Sequence, residues 1–98
     1  MTEPRYSVYI MASRRDGTLY VGVTNHLASR AHQHRNGVGS QFTSRYAVNM
    51  LVWYEHYGDV GEAIAREKQL KKWEGRWKLD LIERFNPSWA DLYETLNA

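Results

Sequence analysis

The chain has 98 residues, a formal net charge of +2, 43% hydrophobic residues, four Trp, seven Tyr and no cysteine. This length suits one core, because two would leave about 50 residues each, a size that usually needs staples. The missing thiol excludes disulfides, zinc–thiolate and iron–sulfur sites and thiol catalysis.

In chain order, Met1-Thr2-Glu3-Pro4-Arg5 leads straight into Tyr6-Ser7-Val8-Tyr9. This is not a charged leader followed by a cleavable apolar stretch, and no later run approaches the ~18 apolar residues of a membrane span. A cytoplasmic single domain over residues 1–98, with no membrane partner, is the expectation. Tyr6, Val8, Ile10 and Ala12 alternate with Ser7, Tyr9 and Met11, the period of a strand. Asp16-Gly17 signals a turn and Leu19 to Thr24 a second strand, forming a hairpin. A loop at Arg14 to Gly17 sets Tyr9 opposite Gly22 and Tyr20 opposite Met11, so the two tyrosines share one face. A one-residue slip would separate them.

A helix should start at Thr24 or Asn25 and stop at Asn36-Gly37. Leu27, Arg30, Ala31 and His34 occupy one stripe of it, which puts a cation and an imidazole on its apolar side. Gly37 to Val48 reads as a loop and Asn49 to Tyr57 as a third strand. Asp59 and Glu62 form a capping pair for a helix whose inner stripe is Ala63, Ile64 and Leu70, with Glu67 projecting between them. After Gly75 a further helix uses Trp77, Leu81 and Phe85 and ends at Asn86-Pro87. Ser88 can cap a last helix on which Trp89, Leu92, Tyr93 and Leu96 repeat at helical spacing. The expected object is an α+β (broadly α/β) fold, a small antiparallel sheet flanked by helices.

Charge is distributed unevenly. No Asp or Glu occurs from Gly17 to Tyr54, a stretch holding Arg30, Arg35, Arg45, His26, His32 and His34. An acid-free surface of this kind attracts anions such as a phosphate backbone.

Tyr9, Tyr20, Arg30, His34, Glu67 and Asn86 place polar groups where apolar ones belong. Each alone has a packing explanation: an inward tyrosine is usually a bonded core residue, Arg30–Glu67 could be a structural ion pair, and a lone His is more often a satisfied structural group. Together they amount to a phenol pair, guanidinium, imidazole, carboxylate and amide converging in a small domain, which is costly unless mutually satisfied or functional. A serine nucleophile pairing Ser7 with His34 has no support from spacing, and Gly37-x-Gly39 lacks the Lys-Ser/Thr of a P-loop. One carboxylate can hold a hydrated Mg²⁺, an Arg can hold a phosphate, and a Tyr or His can take a proton from water. That inventory fits metal-assisted phosphodiester hydrolysis.

The same residues carry a family resemblance. Val8-Tyr9-Ile10, followed after the turn by Tyr20-Val21-Gly22, resembles the paired motif of the GIY-YIG nuclease superfamily. The likeness continues through Thr24-Asn25-x-Leu27-x-x-Arg30-x-x-x-His34-x-x-Gly37. Ala63-x-x-x-Glu67-x-x-Leu70-Lys71-x-Trp73 and Asn86-Pro87-x-Trp89-x-Asp91-Leu92 extend it over nearly the whole chain, which is most similar to the small single-domain group. The resemblance implies a three-stranded antiparallel sheet flanked by helices and cleavage of nucleic-acid phosphodiesters with one divalent metal, Mg²⁺ or Mn²⁺. It implies that Tyr9 and Tyr20 are the motif tyrosines, one of them the general base. Arg30 would contact the scissile phosphate, Glu67 would bind the metal, Asn86 would support the site, and His34 would match a histidine of some branches. Two positions depart from the pattern: Ser7 stands for the first glycine, and Val23 stands where several family enzymes carry a lysine that His34 could partly replace.

The reading is an Mg²⁺-dependent endonuclease acting on DNA by structure rather than sequence, with Arg35 and Arg45 as nucleic-acid contacts. The alternatives are a catalytically weak or inactive nucleic-acid-binding module, and an interaction protein that uses the tryptophan-rich C-terminal helices.

Overall fold

The computed structural model describes residues 5–96; Met1 to Pro4, part of the leader argument, lie outside them. Three antiparallel strands, β1 (Tyr6–Ala12), β2 (Leu19–Thr24) and β3 (Met50–Tyr57), form one sheet in the order β2-β1-β3. The hairpin turns over Arg14 to Gly17, where the Gly17 amide donates to the Arg14 carbonyl at 3.0 Å and Asp16 takes φ +57°. The register is the expected one, Tyr9 opposite Gly22 and Met11 opposite Tyr20.

Strand β1 alternates in sequence but is buried on both faces from Ser7 to Ala12, because it is the central strand and helices cover both sides. On one face Val8, Ile10 and Ala12 pack with Ala63 and Leu70 of α3 (Val60–Lys72) and Ile82 of α4 (Gly75–Phe85). On the other, Tyr9 and Met11 pack with Leu27 and Ala31 of α1 (Leu27–Arg35) and with Leu51. A bulge opposite Ile10 and Met11 inserts Val52, so Val52 and its neighbour Trp53 both join the first core.

Four expectations need correction. The segment from Gly37 to Val48 is not all loop: Ser40 Oγ accepts the Thr43 amide and starts a short helix, α2 (Gln41–Arg45). On α3, capped as expected by Asp59 on the Glu62 amide at 2.9 Å, Ile64 is 38% exposed. Ala63, Glu67 and Leu70 take the sheet side, and Ile64, one position on from Ala63, turns about 100° away from them. On α4 the buried residue is Ile82, while Trp77 and Phe85 are exposed. Trp77 meets Trp73 edge-on at 5.8 Å, and Phe85 does the same to Tyr54 at 5.3 Å.

The last expected helix shrinks to α5 (Tyr93–Leu96). Trp89 has φ +55°, which breaks the helical path, and its stripe divides between the two cores, Trp89 with one and Leu92, Tyr93 and Leu96 with the other. The Leu92 amide donates to the Leu51 carbonyl at 2.8 Å, and Asp91 Oδ1 accepts the amides of Leu51 and Tyr93. These bonds tie the segment to the start of β3, in place of the turns that a helix from Ser88 would need. No helix among the described residues is long and apolar enough to cross a membrane.

Candidate active site

The hairpin register decides the centre of the site. Tyr9 and Tyr20 lie diagonally on one face, ring centroids 6.3 Å apart. The Tyr9 phenol reaches across β2 over Gly22, where a Cβ would overlap its hydroxyl. Helical periodicity then carries His34 inward from α1, its ring 5.7 Å from that of Tyr9 and 5.4 Å from that of Tyr20.

His34 is 1% exposed and both ring nitrogens are engaged, Nε2 with the Tyr9 hydroxyl and Nδ1 with Thr43 Oγ1, each at 3.0 Å. Burial, reinforced by the Arg30 charge, pushes its pKa down to about 4. The imidazole is therefore neutral at pH 7, and it does not replace the missing lysine at position 23 as a cation facing phosphate. Burial also pushes the Tyr9 phenol well above its ordinary value, with Tyr20 and Glu67 acting in the same direction and Arg30 opposing.

Arg30 and Glu67 thus both act on Tyr9 from opposite helices, though not as the ion pair that the sequence allowed. Glu67, its side chain 15% exposed, pairs with Lys71 one turn on, at 3.1 Å. Half-buried Arg30 instead lines a cleft with Tyr6, Val23, Thr24, Val60 and Ile64. Val23 and the exposed Ile64 are both walls of the cleft at Arg30.

Other candidate residues sit elsewhere. The Asn86 side chain donates to the carbonyls of Val52 and Ala90 and accepts the Ala90 amide, so it clamps backbone at the bulge. The Ser7 hydroxyl meets His56 Nδ1 at 2.7 Å and not His34. Arg35 is held by Glu94 at 2.8 Å and Asp91 at 3.8 Å and lies over the Tyr93 ring. Arg45, over the Tyr46 ring at 5.6 Å, lines an open groove with Gly37, Ser40, Phe42 and Tyr46.

Sequence reasoning passed over Thr43, weighed Gly39 only as part of a P-loop, and left Phe42 without a role. Phe42 packs against Tyr20 with ring centroids 5.9 Å apart, and a Cβ at Gly39 would overlap the His34 ring. Ser40 preceding Thr43 by three residues is a capping signal that would have found α2 and, with it, Thr43.

Among the described residues, no group of three or more His, Cys, Asp or Glu could hold a metal. The donor set does not suit zinc or calcium, which take several protein ligands. A single half-buried carboxylate suits a hydrated Mg²⁺ or Mn²⁺, which needs only one or two, and Glu67 is the residue that would hold it.

A family pattern described as the GIY-YIG catalytic domain matches residues 5–80. The chain belongs to the GIY-YIG family. Membership places it among nuclease domains and makes nucleic acid its substrate class. Its relatives include a UPF0213 protein of Clostridium perfringens, 39% identical over 76% of this chain and 80% of the relative. Another, from Desulfotalea psychrophila, is 32% identical over 92% and 82%. The solution structure of a UPF0213 protein from Bacillus halodurans is similar to this GIY-YIG fold with a TM-score of 0.56 and 25% identity, covering 89% of this chain and 92% of the other.

Proposed function

We propose that this GIY-YIG domain is an Mg²⁺-dependent endonuclease that hydrolyses DNA phosphodiesters and selects structure rather than sequence. The observation that carries the reading is the Tyr9 hydroxyl, bonded to a neutral buried His34 and acted on by both Arg30 and Glu67. A packing tyrosine needs none of these charges around it, whereas an in-line attack on a phosphate needs a proton acceptor, a cation and a metal-binding carboxylate.

In this reading Arg30 holds the scissile phosphate in the cleft, where a guanidinium matches its paired oxygens. The Tyr9 oxygen takes the proton of the attacking water while its own hydrogen passes to His34 Nε2, 3.0 Å away. One P–O bond forms to the water oxygen and the P–O bond to the leaving strand breaks. A bound phosphate offsets the Arg30 charge that helps hold His34 neutral, which makes the imidazole a better acceptor when substrate is present. Tyr20 packs against both rings and keeps them in place. A divalent ion on Glu67, when bound, supplies positive charge against the negative charge that develops on the phosphoryl group and the leaving oxygen.

The Lys71–Glu67 pair supports one other reading, a binding module of the same fold, because the lysine offsets the carboxylate that would repel DNA without a metal. Incubating the protein with labelled single-stranded, duplex, nicked, flapped and branched DNA and matched RNA, in Mg²⁺, Mn²⁺ or EDTA, tests the two. Metal-dependent cleavage of DNA is expected. Tight binding with no cleavage in either metal favours the module.

A further inference from the structure

The hydrogen bonds around Thr43 assign the tautomer of His34. Thr43 Oγ1 has three polar neighbours, His34 Nδ1 at 3.0 Å, Ser40 Oγ at 2.9 Å and the Ser40 carbonyl at 3.2 Å. A threonine hydroxyl has one hydrogen and two lone pairs. A carbonyl oxygen only accepts, so the Thr43 hydrogen goes to Ser40 O. The other two contacts then have to donate to Thr43, the Ser40 hydroxyl into one lone pair and a His34 Nδ1–H into the other. Ser40 Oγ still accepts the Thr43 amide at 3.1 Å, so every bond in the cluster is made at once. If Thr43 donated to Nδ1 instead, its contact with the Ser40 carbonyl would be lost.

The enclosure of Nδ1 points the same way. The Gly39 backbone closes on the His34 ring so tightly that a Cβ there would overlap Nδ1. Thr43 is 1% exposed, so this nitrogen is turned away from solvent toward a single hydroxyl. On the other side of the ring, a neutral imidazole that carries its hydrogen on Nδ1 has its lone pair on Nε2, where the Tyr9 hydroxyl lies.

We propose that Thr43 is a positioning residue: its hydroxyl accepts His34 Nδ1–H, which leaves Nε2 as the lone-pair nitrogen that takes the hydrogen of Tyr9. The Tyr9 oxygen then keeps its own lone pairs free for the proton of the attacking water. In the opposite tautomer Nε2–H would occupy one of those lone pairs, and Nε2 could accept nothing. Once the proton has moved, His34 carries hydrogen on both nitrogens, and the Thr43 oxygen already faces the one on Nδ1. This inference rests on the nuclease reading for its consequence, and on the hydrogen-bond geometry alone for the tautomer.

The test has two arms on the full chain. The first is ¹⁵N NMR of the His34 imidazole at neutral pH without metal or DNA, where pyrrole-type and pyridine-type nitrogens are distinguished by shift. Nδ1 is expected to be pyrrole-type and Nε2 pyridine-type. The reverse assignment in the wild-type protein overturns the proposal, and this arm needs no variant to fold. The second arm compares Thr43→Val, which keeps the branched shape without the hydroxyl, with Thr43→Ser, which restores it. Thr43→Val should move hydrogen to Nε2 and slow single-turnover cleavage about tenfold or more at saturating DNA, with KM little changed. Thr43→Ser should recover both the shift pattern and most of the rate. A moved hydrogen with an unchanged rate also overturns the positioning role. Wild-type protein that shows the expected nitrogens but cleaves nothing overturns the nuclease reading instead.

Discussion

The phenol of Tyr9 occupies the space where a side chain at position 22 would be, so Gly22 is part of the site although it offers no functional group. The two residues are cross-strand partners in the hairpin. Gly22→Ala should destabilise the protein by about 1–3 kcal/mol through overpacking, or roughly 5–15 °C of Tm at this size. Tyr9 should also be displaced from His34. Thermal melting together with single-turnover cleavage checks this. A Tm and rate equal to wild type would show that Tyr9 has room to move.

In the proposed function Glu67 is the carboxylate that would hold a divalent ion. Glu67→Ala should lower cleavage by at least about 100-fold, the scale of losing electrostatic stabilisation of the transferred group. DNA binding measured by anisotropy should stay equal or tighten, because a negative charge facing phosphate is gone. Full activity of the variant in Mg²⁺ would remove Glu67 from the metal site.

His34 links stability to pH. Its pKa is 6.5 in the unfolded chain and about 4 in the folded one, so between these values the unfolded state binds more protons and acidification favours it. Its contribution is complete above pH 6.5 and falls away toward pH 4, by up to roughly 3 kcal/mol at 1.36 kcal/mol per unit. His34→Asn should be less stable than wild type at pH 7, with the difference narrowing on acidification. Urea unfolding of both proteins from pH 4 to 7 measures it, and parallel profiles would mean that His34 is not held neutral.

Arg45 and Arg35 should differ in DNA binding. Arg45 lines an open groove, whereas Arg35 is already held by Asp91 and Glu94. Arg45→Ala should make the slope of log K against log salt less negative by about 1, one phosphate contact. Arg35→Ala should change it less. Equal changes in slope would place both arginines in the footprint.

Local chemistry made much of this site legible. The Asp16-Gly17 turn and the alternation on either side of it fix which residues of β1 and β2 face each other, so the diagonal placing of Tyr9 and Tyr20 on one face follows from the chain alone. The i, i+3, i+4, i+7 spacing carries Arg30 and His34 to one side of α1, and the Asp59 cap starts α3 so that Glu67 turns inward with Ala63 and Leu70.

What the chain alone determined, then, is which residues of the β1–β2 hairpin and of α1 share a face, because turn geometry and helical or strand period act over a few residues. Only the tertiary structure decided what those residues meet. Burial beside Arg30 makes His34 neutral instead of a cation, and Arg35 is held by acids about 60 positions further along the chain. Ile64 is turned to the cleft and Asn86 to the bulge at Val52, and Thr43 arrives beneath His34 on a helix of five residues. Desolvation, charge pairing and ring contact are set by distances between segments remote in sequence, and no periodicity within one segment encodes them.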